Sequence, residues 1–267
     1  MALPLPSMHA RALVTGASQG IGRAMARDLA EMGHNLILVA RREDVLNSLA
    51  TELEERFGVT VEVRAVDLAE HNARRALIDE ISSREINILI SSAGIASFGP
   101  FKDADWNYEL NQFHLNATAC FELTHAVLPG MLSRGQGAIC NVGSLAGDMV
   151  IPNNATYIFT KSGLNKFTEA LHYELRGTGV TCTLLAPGPV REAVIPESEK
   201  TIVDRVVPDA VWTTYESCSR ETLEAMAAGR RRVVPGPLAK VMEVVTNVAP
   251  TRVIAPIIGN FYRKMGA

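Results

Sequence analysis

Thr15-Gly16-Ala17-Ser18-Gln19-Gly20-Ile21-Gly22 lies between a short apolar run, Ala12–Thr15, and a helix-forming stretch, Gly22–Glu31. Glycine is needed where the backbone turns through positive φ and where a phosphate must lie against the main chain. A helix starting there presents unpaired N–H groups and the positive end of its dipole to an anion. The loop therefore reads as a pyrophosphate cradle, with Gly16, Ser18, Gln19, Gly20, Ile21 and Gly22 as its contacts. Its spacing is Gly-x3-Gly-x-Gly, not the commoner Gly-x-Gly-x2-Gly.

Outward from this loop the chain alternates short β-branched runs with longer helical ones. Gly33 is a helix stop, and Leu36–Ala40 is apolar enough for a strand buried on both faces. A charged helix follows over Glu43–Arg56, ended by Gly58, then a strand over Thr60–Val66, a helix over Ala69–Ser83 and a strand over Ile86–Ser91. The second half repeats the scheme, with a long helix over Ala104–Ser133, a strand over Ala138–Val142 and a helix over Ala155–Arg176. Leu164, Phe167, Leu171 and Leu175 share one face of that helix. A further strand, Val180–Ala186, stops at Pro187-Gly188. Such alternation implies right-handed βαβ units and a doubly wound, mostly parallel sheet of about seven strands with helices on both faces. The fold class is α/β, a single-domain Rossmann fold over residues 1–267.

Residues 189–231 break the rhythm with scattered prolines and a charged helix near Arg220–Arg230. A segment of this kind after a sheet strand, at the carboxyl edge, is placed as a substrate lid. Arg232–Pro235 reads as a last strand and residues 237–267 as a C-terminal helical extension.

Composition narrows the function classes. A net charge of −3 with interspersed signs leaves no footprint for nucleic acid. The four cysteines, Cys120, Cys140, Cys182 and Cys218, have neither metal nor redox-motif spacing, which points to a reducing cytoplasm. His114, His125 and His172 lack metal-ligand partners at suitable spacing, so no metal is expected. The N-terminus lacks the build of a signal peptide, and no apolar run reaches the roughly 18 residues that a span needs. Val253–Phe261 is apolar and is followed by Arg263 and Lys264, a tail suited either to burial or to peripheral contact with the cytoplasmic face of a membrane.

The second strand ends in Ala40-Arg41-Arg42, where NAD enzymes usually place an acid against the ribose 2′-hydroxyl. Two guanidinium groups match a 2′-phosphate instead, so the expected cofactor is NADPH/NADP+. Tyr157 and Lys161 are four apart in a helix and emerge on one face, and Ser144 ends the strand thirteen residues before Tyr157. That strand end lies on the carboxyl edge, where open α/β sheets bind ligands.

With these residues in order, the stretch Arg11 to Val190 resembles the short-chain dehydrogenase/reductase family. The resemblance implies a catalytic set of Ser144, Tyr157 and Lys161, with Asn116 of Leu115-Asn116-Ala117-Thr118 as the fourth member. An unperturbed tyrosine, with a pKa of about 10, is a poor acid at neutral pH, and nearby positive charge lowers that value. Tyr157 is then the proton donor to a carbonyl oxygen and Ser144 holds that oxygen. Lys161 binds the cofactor ribose and tunes Tyr157, and Asn116 anchors a water relay. Asp67 and Leu68 match the adenine-side contacts, and Ala93, Gly94, Pro187, Gly188 and Val190 match further cofactor contacts. Three positions depart from the family pattern. Ser92 replaces an asparagine, which is expected to weaken a bond between strands, Gly143 replaces a serine, and Glu192 stands where a threonine is usual.

For the substrate, Val194, Ile195, Ile202, Val206, Val207, Val211 and Trp212 make the lid apolar and favour a greasy molecule. Leu184–Arg191, Val206–Asp209, Arg232–Gly236 and Ala255–Tyr262 resemble the actinobacterial mycolate reductases. These are related to long-chain 3-oxoacyl and 17β-hydroxysteroid reductases, and the resemblance implies lipid metabolism, mycolic acid biosynthesis and the cell envelope. Three readings stay open. They are a mycolate-type 3-oxo lipid reductase, an NADPH carbonyl reductase of fatty-acyl, steroid or xenobiotic ketones, and a non-catalytic NADP-binding protein. In this family the long helix and the Tyr157 helix often form dimer faces, so a homodimer or homotetramer is expected.

Overall fold

Leu36, Ile37, Leu38 and Val39 are all completely buried, as the unbroken apolar run requires of a strand covered on both sides. In this computed structural model, which describes residues 3–192 and 212–248 together with Arg252, Ala255 and Pro256, the run forms β2, Leu36–Ala40. β1 (Arg11–Thr15), β2, β3 (Val61–Ala65), β4 (Ile86–Ser91), β5 (Gly137–Val142), β6 (Val180–Leu185) and β9 (Arg232–Val233) make a seven-stranded sheet in the order β3-β2-β1-β4-β5-β6-β9. Every pairing in it is parallel. The strand order reverses between β1 and β4, so a crevice opens at the carboxyl ends of those strands.

Side-chain alternation sends successive residues to opposite cores. Leu36 and Leu38 join Ala12 and Val14 on the face covered by α1 (Gly20–Glu31) and α2 (Glu43–Phe57). Ile37 and Val39 join Leu13 on the face covered by α3 (His71–Ser82), α5 (Ala119–Arg134) and α6 (Ala155–Glu174). Full burial of one such side chain stabilises the fold by about 1.5–3 kcal/mol, so these strands anchor the site rigidly.

Several boundaries differ from the sequence reading for identifiable reasons. α3 starts at His71 because the Glu70 carboxylate caps it, accepting from the Ala73 N–H at 2.6 Å. The long helix starts at Trp106, capped by the Asp105 carboxylate, and is two helices, α4 (Trp106–Phe113) and α5. They are joined by one wide π turn over His114–Thr118, which carries Asn116. The segment at Ser92 is tied to β1 by the Thr15 hydroxyl, which accepts from the backbone N–H groups of Ser92 (3.0 Å) and Ala93 (3.1 Å). The side chain at position 92 has no part in that tie.

The segment assigned to a lid divides. The helix in it, α7, runs Tyr215–Ala227 instead of Arg220–Arg230, and its Cys218, Leu223, Ala225 and Met226 are in the same core as α1. Ser219 donates to Asp28 of α1 at 2.6 Å. This helix is a structural layer, not a cover. A short ladder of β7 (Val190–Arg191) with β8 (Thr213–Thr214), absent from the sequence reading, leads into it. Of the apolar lid residues, Val194, Ile195, Ile202, Val206, Val207 and Val211 lie outside the described residues, as does most of the Val253–Phe261 tail. The C-terminal helix α8 (Pro237–Val248) packs Ala239 against the Pro187–Gly188 turn so closely that a Cβ at Gly188 would sit 2.7 Å from it. No described helix is long and apolar enough to cross a membrane.

Candidate active site

A cleft of about 680 Å³ runs along the carboxyl edge of the sheet. One end is the Gly16–Gly22 loop. Gly16 turns at φ 67°, and a Cβ there would come within 3.0 Å of the Ser92–Ala93 backbone. α1 begins with no side-chain cap at Gln19 and no acid in its first turn, so its N–H groups and dipole remain available to an anion. Gly16, Ser18, Gln19, Gly20 and Ile21 line the cleft. Gly22 does not; it is buried, and a Cβ there would lie 2.5 Å from the Gly16 carbonyl oxygen. That glycine packs helix against turn.

At the same end Ala40, Arg41 and Arg42 form the wall, with no carboxylate at the end of β2. Arg42 reaches over the glycine loop and donates to Ser18 Oγ (3.2 Å) and Gln19 Oε1 (2.7 Å). Asp67 and Leu68 complete this wall, and their loop is held by Arg74, a buried cation missed in the sequence. Arg74 donates to the carbonyls of Leu68 (2.8 Å) and Ala69 (3.2 Å) and pairs with Glu122 of α5 at 2.7 Å. Tyr215, also unforeseen, lines the cleft opposite Gly20, where a Cβ would stand 3.5 Å from its ring. The β7–β8 ladder brings it there. Burial, then the neighbouring Glu192 and Glu216 carboxylates, raise the Tyr215 pKa.

The other end gathers Ser144, Tyr157 and Lys161 with Ala93, Gly94, Pro187, Gly188 and Val190 on one wall system. Lys161 is buried, donates to the Val142 carbonyl at 2.7 Å and lies 5.8 Å from the Tyr157 ring centre. Burial penalises its ammonium and pulls its pKa down to about 8. Ser144 caps a short 3-10 turn, its hydroxyl accepting from the Ala146 N–H at 3.1 Å. Asn165, one turn beyond Lys161, accepts from the Ser144 N–H (3.3 Å) and donates to the Ser144 carbonyl (2.9 Å).

Asn116 does not line the cleft. Its carboxamide bonds both backbone groups of Ile95, each at 2.9 Å, and donates to Thr160 at 3.2 Å. It braces the wall behind Gly94, where a Cβ would meet Asn116 Oδ1 at 3.2 Å. Glu192 is exposed at the end of β7. Asp148 and Glu169 both face Arg232, at 2.6 and 3.7 Å. Among the described residues no group of His, Cys, Asp and Glu is arranged to hold a metal ion.

This geometry has known counterparts. Residues 10–202 match the family model described as short chain dehydrogenase. The chain belongs to the short-chain dehydrogenase family. Within it, sulfoacetaldehyde reductase 2 of Chromohalobacter salexigens is 37% identical over 75% of this chain and 79% of its own length. A very-long-chain 3-oxoacyl-CoA reductase of Laccaria bicolor is 38% identical, over 64% of this chain and 52% of its own length. Among solved structures, a 7beta-hydroxysteroid dehydrogenase superposes with a TM-score of 0.85 at 25% identity, covering 94% of this chain and 96% of its own. A short-chain dehydrogenase from Sphingobium yanoikuyae in complex with NADPH gives 0.76 at 28% identity, over 84% and 87% of the two chains. This short-chain dehydrogenase is therefore an oxidoreductase by family, with ketoacyl reductases among its relatives.

Proposed function

We propose that this short-chain dehydrogenase reduces the 3-oxo group of a long-chain lipid to a 3-hydroxy group with NADPH as donor. The observation that carries the reading is the convergence of Tyr157, Ser144 and Lys161 at one end of a cleft whose other end is an uncapped helix N-terminus flanked by Arg41 and Arg42. A dinucleotide fits that wall. The glycine floor admits a pyrophosphate, and the guanidinium groups beside Ala40 suit a 2′-phosphate that a carboxylate would repel. NADPH, when bound, supplies the hydride. Tyr157 gives its proton to the carbonyl oxygen, and Ser144 Oγ holds that oxygen as charge develops. The Lys161 ammonium favours the phenolate left on Tyr157 and binds the ribose. Asn116, whose carboxamide is taken up by Ile95 and Thr160, shapes the wall and the π turn, and anchors the water relay from that turn.

The lipid class is supported by the 3-oxoacyl reductase relatives, and a mycolate-type 3-oxo intermediate is the member of that class that the resemblance selects. The lipid approaches past α8, where Val241 and Val244 are exposed, in peripheral contact with the membrane. A second copy covers the apolar stripe of Trp106, Phe121, Phe159 and Tyr173, all about half exposed or more on α4, α5 and α6, giving a homodimer or homotetramer. The test is NADPH oxidation against 3-oxoacyl thioesters that differ in chain length and 2-alkyl branching. Each buried methylene is worth about 0.8 kcal/mol, so kcat/KM should rise about fourfold per methylene until the groove is full. Flat efficiency along the series removes the lipid assignment and leaves a small-carbonyl reductase, as the sulfoacetaldehyde reductase relative would suggest. Absence of turnover with every ketone removes catalysis itself.

A further inference from the structure

Gly143 sits where the family pattern usually has a serine, and the tertiary structure shows what occupies the space. A Cβ on residue 143 would stand 2.1 Å from Asn165 Oδ1 and 2.7 Å from Leu184 Cδ1. A Cβ on Gly147 would stand 2.7 Å from Asn165 Nδ2 and 2.8 Å from the Lys161 backbone. Asn165 is completely buried between these two glycines, on the turn of α6 that follows Lys161. Its carboxamide bonds the N–H and the carbonyl of Ser144 and, through Nδ2, Asp148 Oδ1 at 3.1 Å. Asp148 in turn receives Arg232 at 2.6 Å, and Arg232 pairs with Glu243 of α8 at 3.0 Å.

We infer that Asn165 is the positioning residue of Ser144, and that Gly143 is a glycine because the Asn165 carboxamide, with Leu184 beside it, fills the volume a side chain would need; Gly147 is confined by the Lys161 backbone as well. The inference rests on the reading of Ser144 as the residue that holds the substrate oxygen. A two-point clamp on one residue's backbone fixes where its side chain points, whatever the Ser144 hydroxyl bonds to. The clamp itself is held in register by the Asp148–Arg232 pair, so the Ser144 backbone is tied to the C-terminal helix through the Asn165, Asp148, Arg232 and Glu243 side chains. Asn165 is not among the cleft-lining residues, so its removal should leave cofactor binding alone.

The experiment uses the full chain and four variants: S144A, N165A, G143A and G143A/N165A. NADPH stoichiometry and affinity come from fluorescence titration, and kcat per bound cofactor is measured with a 3-oxoacyl thioester that the wild type turns over. N165A should bind one NADPH per chain with affinity within about twofold of wild type, while kcat falls about 10-fold, the effect of leaving buried backbone groups unpaired. G143A should lose a similar factor, because its Cβ displaces the clamp. The double variant keeps the Leu184 contact, but its loss should fall well short of the product of the two single losses, since the conflict with Asn165 is gone from it. Losses that multiply in the double variant overturn the volume argument. Wild-type kcat per bound cofactor in N165A, whatever its thermal stability, overturns the positioning role. If S144A itself keeps wild-type kcat, the reading of the site has failed and the inference falls with it. If S144A is impaired and N165A is not, only the inference has failed.

Discussion

At the glycine-loop end of the cleft, the polar contacts are open to solvent. Arg42 meets Ser18 and Gln19, all on the exposed rim, and the helix N-terminus needs no partner at all. At the Ser144 end the groups are buried and each is held from elsewhere. Lys161 reaches the Val142 carbonyl, Asn116 reaches Ile95, and Asn165 reaches Ser144. An exposed ion contact is worth little by itself because water competes for it, whereas a buried group left unpaired loses its full desolvation cost. One end can therefore bind by backbone dipoles and a few replaceable cations. The other can do chemistry only if several distant residues agree.

The largest expected effect is at the buried end. Tyr157→Phe keeps the ring and removes the proton donor, so kcat should fall about 10²–10⁴-fold with NADPH affinity almost unchanged. Turnover measured beside a cofactor titration checks this, and an active Y157F enzyme breaks the mechanism. Lys161→Ala should damage both quantities, because two roles meet on one ammonium.

At the open end the losses should be smaller and confined to binding. Removing both arginines together with Ala40→Asp should weaken NADPH by about 10–100-fold and reverse the preference over NADH, the two exposed and screened guanidinium groups together being worth about as much as one charge-assisted bond of about 1.5–3 kcal/mol. Equal affinity of the wild type for the two cofactors would show that these guanidinium groups do not read the 2′-phosphate.

A pH profile separates the ends in a different way. Lys161 is an ammonium only below about 8 in the folded protein, because burial disfavours its charge. kcat/KM for reduction, which reports the free enzyme, should therefore decline as pH rises through 8. The decline is not unfolding. From about 8 up to the ordinary value of 10.5 the unfolded chain binds the extra proton, so the Lys161 contribution to stability rises with pH across that window. Thermal melts run at the same pH values distinguish the two.

The smallest effect belongs to Glu192, exposed beside the cleft. Glu192→Thr should tighten NADPH by about twofold or leave it unchanged, the size expected of a screened surface charge. A loss of activity beyond tenfold would show that this carboxylate has a positive role.

The alternation of apolar runs and glycine stops sufficed for the fold class, because a strand buried on both faces must be apolar throughout and few other segments are. Gly16, Ser144, Tyr157 and Lys161 were legible for a similar reason: strand-to-helix turns and i, i+4 pairs express their geometry within a few residues. Asn165, Arg74, Tyr215 and Arg232 were not. Their roles depend on which strand ends lie side by side, and no local spacing encodes that. What Gly22 and Asn116 pack against was not legible either: a Cβ on Gly22 would meet the Gly16 carbonyl, and the Asn116 carboxamide bonds the Ile95 backbone. The helix over Tyr215–Ala227 read as part of a lid because its charge dominates its composition, although its apolar face completes the core behind α1.

Local chemistry in the chain thus determined the sheet, the order of its helices, the glycine turn and the placing of Ser144, Tyr157 and Lys161 at the carboxyl edge. The packing of strands alone decided which side chains hold those groups still, and why residue 143 has no side chain. A hydrogen bond between residues far apart in sequence exists only after the backbone has brought them within about 3 Å, so no reading of either residue's neighbours can foresee it.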